Sequence, residues 1–158
     1  MRVLPVLLGL LLNVEAVVTE GVRVPPIELV VDTGADPETT WRTITDPEMV
    51  VLWFTDASRL GPVGGRYRLD FGDGSVVTGE ILALEPGRSF AYRWAWEGAE
   101  PGEVTRVSWT VEPHLGGSRI RLVHDGWDEA GLDASARDDH EGYWSGYLDD
   151  LRDVLSEA

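Results

Sequence analysis

Histidines 114, 124 and 140 are the side chains whose unperturbed titration falls near neutral pH in a chain without cysteine. Their spacing matches no metal site. His124 shares one face of a strand pattern with Ile120 and Leu122, and His140 shares one face of a helix pattern with Trp144. Each reads first as a satisfied core histidine. Brought together in a pocket, the two would form an acid–base pair, and that is the one catalytic constellation the sequence keeps open. Ser145 in "YWSGY" lies inside a helical pattern and lacks the strand-to-helix elbow a serine nucleophile needs. Gly61, Gly64 and Gly65 precede a strand, whereas a nucleotide-binding loop follows one. "DFGDGS" lacks the third acid and the closing Glu of a calcium loop, so it reads as a hairpin turn. The sequence contains no Lys, which removes Schiff-base and P-loop lysine chemistry. No catalytic residue, metal ligand or cofactor is assigned.

Rings are the positive signal. Phe90, Tyr92, Trp94 and Trp96 alternate onto one face of one strand, and Trp109 lies beside Val107 and Val111 on the next. Tyr143, Trp144 and Tyr147 recur on one stripe of a C-terminal helix, and Trp41 and Trp53 ride on two short helices. With His124, the residues expected to wall a cavity are Trp41, Trp53, Tyr92, Trp94, Trp109, Tyr143, Trp144 and Tyr147. A packed core made of the same rings is the competing reading, since buried Tyr and Trp need partners for their polar tips.

The elements that must position these rings follow from local chemistry. "DPE" occurs at 36–38 and again at 46–48. Asp accepts hydrogen bonds from free helical N–H groups and Pro suits the first helical position, so each triplet starts a helix. Trp41 with Ile44, and Met49 with Leu52 and Trp53, are the faces expected to turn inward. "PPIELVVDT" (25–33) reads as a strand ahead of them. After the breaker "GPVGG" come strands over 66–71, 76–85, 88–96, 105–113 and 118–127, separated by Gly- and Pro-containing turns. Asp133 or Ser135 caps the last helix, whose apolar stripe holds His140, Trp144, Tyr147, Leu151 and Leu155.

A chain of 158 residues is long enough for one domain with a core and a pocket. Its net charge of −15, with no Lys, opposes nucleic acid and anionic membrane surfaces. From Asp125 onward eleven acids face Arg137 and Arg152, and such a run reads as a solvated helix face. The apolar stretch "RVLPVLLGLLL" is broken by Pro5 and Gly9 and falls short of the about 20 residues a bilayer requires. Residues 1–18 therefore read as an apolar leader or extension, and 19–158 as the domain. A cytoplasmic protein is expected; a secreted one stays open if a signal peptide is cut after Ala16.

In order and spacing, "TDPEMVVLWF", "GGRYRLDF", "GEILALEPGRSFAYRWAW", "TRVSWTVEP", "GGSRIRLVHDGW" and "HEGYWSGYLDDLRDVL" resemble the START-like (SRPBCC) superfamily. The branch is the one resembling the C-terminal domain of the activator of the heat-shock protein 90 ATPase, and the likeness runs from about Pro26 to the end. It implies an α+β helix-grip fold: a curved antiparallel sheet wrapped around a long C-terminal helix, with an elongated cavity between them. It transfers no shared catalytic residue. The expected function is non-catalytic binding of a hydrophobic or aromatic small molecule. A polyketide cyclase or hydratase-type enzyme using pocket histidines, and a co-chaperone-like interaction module using the acidic face, remain as alternatives. A homodimer is left open as an assembly.

Overall fold

The computed structural model describes residues 23–158. The expected leader and the domain start at Thr19 lie outside those residues. Strand β1 (Ile27–Thr33) leads into α1 (Pro37–Thr45), where the Asp36 carboxylate accepts from the Thr39 N–H at 2.7 Å. Asp46 serves two helices at once. Its N–H donates to the Arg42 carbonyl to close α1, and its carboxylate accepts from the Glu48 N–H at 3.0 Å to start α2 (Pro47–Val50). Both Asp-Pro-Glu triplets thus begin helices. The second has one regular turn, and its inward face differs from the expected one: Val50 and Trp53 turn inward, while Leu52 is 60% exposed. Turn hydrogen bonds run on to Phe54, whose N–H donates to the Val50 carbonyl at 2.8 Å, so Val50 and Trp53, three residues apart, share the buried face and Leu52 falls outside it.

Six strands follow: β2 (Asp56–Ala57), β3 (Arg66–Asp70), β4 (Val76–Glu85), β5 (Ser89–Trp96), β6 (Thr105–His114) and β7 (Gly117–Asp125). Two-residue β2 is too short for any periodicity to announce it. The seven strands form one antiparallel sheet in the order β1-β7-β6-β5-β4-β3-β2, with β1 crossing to pair β7 so that Ile27 lies opposite His124. Between β4 and β5 the register shifts from Ile81 to Ala83. Near that shift a Cβ on Gly79 would come within 1.7 Å of the Arg93 carbonyl oxygen, so only glycine fits there. An irregularity of this kind raises local twist and helps the sheet curl.

Helix α3 (Ala134–Ser156) crosses the concave face and is capped by Asp133, which accepts from the Ala136 N–H at 3.0 Å. Twenty-three residues span about 34 Å. The helix buries Trp144, Leu148, Leu151 and Leu155 against inward residues of the strands, among them Leu69, Ile81, Phe90, Tyr92, Val107, Trp109, Ile120 and Leu122. Arg137 fastens its first turns to the start of β1 by donating to the carbonyls of Pro25 and Pro26, and it pairs with Glu141 at 2.6 Å. The result is a curled sheet gripping one long helix.

Candidate functional site

Strand alternation on β5 and β6 and helical spacing on α3 aim their rings at one interior, and the middle of that interior is filled. Trp109 packs on Trp53 at 5.8 Å between ring centres, on Phe90 at 6.3 Å and on Trp144 at 5.7 Å. His124 sits in this region, fully buried. The indole N–H of Trp144 donates to His124 Nδ1 at 3.0 Å. An indole nitrogen is donor only, so Nδ1 carries no proton. Nε2 therefore bears it and donates to the Thr105 hydroxyl at 2.7 Å. Trp127 closes the other side, its ring 4.4 Å from the imidazole and its N–H donating to the His124 carbonyl. Burial, aided by the neighbouring His140, pushes the His124 pKa down to about 2. This imidazole is neutral and fixed.

Toward the N-terminal half of α3 the rings part. A cleft of about 540 Å³ opens between α3, the end of β5 and the turn joining β3 to β4. That turn is held open by Gly72 and Gly74, whose φ of 83° and 95° a side chain would resist, and it carries Asp73 and Ser75 to the rim. Phe54, Phe71, Trp94, Trp96, Tyr143, Trp144 and Tyr147 supply aromatic wall; Ala136, Asp139 and His140 complete it. His140 is held as firmly as His124. The Trp96 N–H donates to its Nε2 at 3.0 Å, leaving Nδ1–H to donate to the Ala136 carbonyl at 2.7 Å. Burial lowers its pKa, opposed by that carbonyl and by Asp139. Burial and the charges of Asp73 and Asp150 raise the phenol of Tyr147. Trp94 lies at the boundary of the two regions, 5% exposed, and its buried Nε1–H has no hydrogen-bond partner among the described residues.

The two histidines do meet, with ring centres 5.4 Å apart. All four of their nitrogens are nevertheless engaged by protein groups, so neither offers a free lone pair to a substrate. Of the nine residues expected to wall a cavity, Trp94, Tyr143, Trp144 and Tyr147 line the cleft. Trp53, Tyr92, Trp109 and His124 are buried in the packed interior, and half-buried Trp41 stands edge-on to Phe90 at 5.7 Å. The nine do not include Trp96, or Phe71, which the sequence also allows beneath the short helices, or His140, which enters the sequence reading only as a pocket partner of His124. Each had a signal: Trp96 and Trp94 share a face, Phe71 closes the alternation Tyr67-Leu69-Phe71, and His140 precedes Trp144 by one helical turn. Asp73, Ser75 and Asp139 had none. Among the described residues no cluster of three or more His, Asp and Glu could hold a metal, and no helix is long and apolar enough to cross a membrane.

A curled antiparallel sheet closed by one long helix, with short helices after the first strand, defines a START-like protein of helix-grip architecture. A family model described as "Activator of Hsp90 ATPase homolog 1-like protein" matches residues 34–156, and the chain belongs to that family. Solved structures agree on the fold. Protein MLL2253 from Mesorhizobium loti is 22% identical with a TM-score of 0.74, the match covering 83% of this chain and 96% of that one. The Aha1 dimer from Colwellia psychrerythraea is 22% identical with a TM-score of 0.70, covering 84% and 96%. DynU16, a putative protein in the dynemicin biosynthetic locus, is 25% identical with a TM-score of 0.74; 82% of this chain matches 46% of that one. Comparison with curated proteins returns no match.

Proposed function

We propose that this protein binds an apolar, ring-bearing small molecule in the cleft beside the N-terminal half of α3, without transforming it. The observation that carries the reading is the cleft itself. Its volume of about 540 Å³ lies within the about 300–1,000 Å³ usual for small-molecule sites, and seven of its twelve lining residues are aromatic. Flat rings on several sides suit a planar or polycyclic ligand, since offset and edge-on ring contacts add to simple burial. The engaged nitrogens of His124 and His140 favour binding over acid–base catalysis. The occurrence of a structural neighbour in a biosynthetic locus is in keeping with a small-molecule ligand. Native mass spectrometry of the purified protein mixed with a hydrophobic metabolite extract tests this. A small-molecule adduct weakened by Trp96→Ala is expected; an unchanged bare mass across a broad panel would overturn the proposal.

A further inference from the structure

The rim of the cleft has a charge that its walls do not. Asp73 approaches from the β3–β4 turn and Asp139 from α3, so the two carboxylates reach the space from different elements. Neither is in an ion pair among the described residues, and Asp73 accepts from the Ser75 N–H of its own turn, at 2.9 Å. No Arg lines the cleft. The helix cation nearest in sequence, Arg137, is turned away to the carbonyls of Pro25 and Pro26 and to Glu141. His140 brings no positive charge either: its Nε2 accepts from the Trp96 N–H and so carries no proton, and burial lowers its pKa. The same cleft is lined by the rings of Trp96, Tyr143 and Tyr147, and aromatic rings attract cations to their faces.

We infer that the ligand of this cleft carries a protonated amine, its rings against Trp94 and Trp96 and its ammonium at the mouth near Asp73 and Asp139. The inference rests on the binding role proposed above, keeps its apolar ring system and adds to it one cationic group. Fatty acids and other carboxylates are disfavoured, since an anion would meet two unpaired carboxylates, no cation, and a chain of net charge −15.

Three probes with one ring system separate the class from the role: 1-pyrenemethylamine, 1-pyrenemethanol and 1-pyrenecarboxylic acid, titrated against the protein by tryptophan-to-pyrene energy transfer. Contact with exposed carboxylates and ring faces predicts that the amine binds about tenfold tighter than the alcohol, and the acid weakest. That preference should shrink at about 1 M NaCl, where charges are screened beyond about 3 Å. In a Asp73→Asn, Asp139→Asn double variant it should collapse toward unity. Asn keeps the acceptor of the turn and both positions are exposed, so the fold does not depend on the charge. Equal binding of amine and alcohol would overturn the amine assignment and leave the binding role standing. Tightest binding by the acid would also overturn it. Failure of all three probes to bind would overturn assignment and role together.

Discussion

His124 and His140 face one another across 5.4 Å, yet they belong to two different regions. Around His124 every wall is closed: Trp144, Trp127 and Thr105 hold its polar atoms, and no surface reaches solvent. His140 is also held, by the Trp96 N–H and beside the Trp127 ring at 5.1 Å, yet together with Trp96, Tyr143 and Tyr147 it lines a cleft. Composition does not distinguish the regions; enclosure does. A tryptophan surrounded on all sides contributes stability, and one with an open face contributes a surface for something else to cover.

The largest expected effect breaks the closed region. Trp109→Ala should cost about 3–5 kcal/mol in a denaturant melt, because the hole would be lined by Trp53, Phe90 and Trp144, which cannot collapse into it. A loss below about 1.5 kcal/mol would mean that the interior has slack, and the contrast between the regions would fail.

Acid supplies the next test. On unfolding, His124 returns to its ordinary pKa near 6.5, whereas folded it stays neutral down to about 2. Below pH 6.5 the unfolded chain thus binds a proton that the folded chain refuses. The stabilisation is fully present above that pH and is lost as pH falls. At about pH 5.5 the loss is about 1.4 kcal/mol, and His140 adds to it in the same direction. Carboxylates with lowered pKa, such as Asp32 and Asp36, act at more acid pH, so this window isolates the imidazoles. Equal melting stability at pH 7.5 and 5.5 would show that His124 protonates without unfolding.

A smaller effect sharpens the open side. Trp96→Phe keeps a ring on the cleft but removes the N–H that His140 Nε2 accepts. Stability should fall by about 1 kcal/mol, and the His140 pKa, followed by NMR, should rise toward 6.5 as Nε2 becomes free to take a proton. An unchanged titration would mean that the hydrogen bond is absent in solution. Smallest of all, Tyr143→Ala should alter stability by no more than about 0.5 kcal/mol, since the residue is 61% exposed, yet weaken pyrene probes several-fold. Unaltered probe affinity would remove Tyr143 from the site.

The sequence carried the elements much further than it carried the space between them. Two Asp-Pro-Glu caps, the alternation of β5 and the stripe on α3 are local patterns, and each forms where its pattern lies. Local pattern also placed Trp94 and Trp144 on inward faces. It could not say that Trp109 would be covered on every side while Trp96, thirteen residues earlier in the chain, would border open space. That depends on how far the sheet curls and where the β3–β4 turn reaches α3, which are properties of strand pairing at long range. Asp73 and Asp139 stayed hidden for the same reason: each looks like an ordinary polar residue of a turn or helix until the two elements meet. Leu52 fails in the opposite sense: the helical turn is real, but its buried face is set by Val50 and Trp53, which leaves Leu52 outside.

If enclosure separates the two regions, the open one accepts a ligand and the closed one does not. Indole N–H signals of the seven tryptophans, followed by NMR while uncharged 1-pyrenemethanol is added, test it without reliance on the amine. Dose-dependent shifts are expected for Trp94, Trp96 and Trp144, with Trp41, Trp53, Trp109 and Trp127 unmoved. Leading shifts at Trp53 and Trp109, or a uniform movement of all seven, would contradict it.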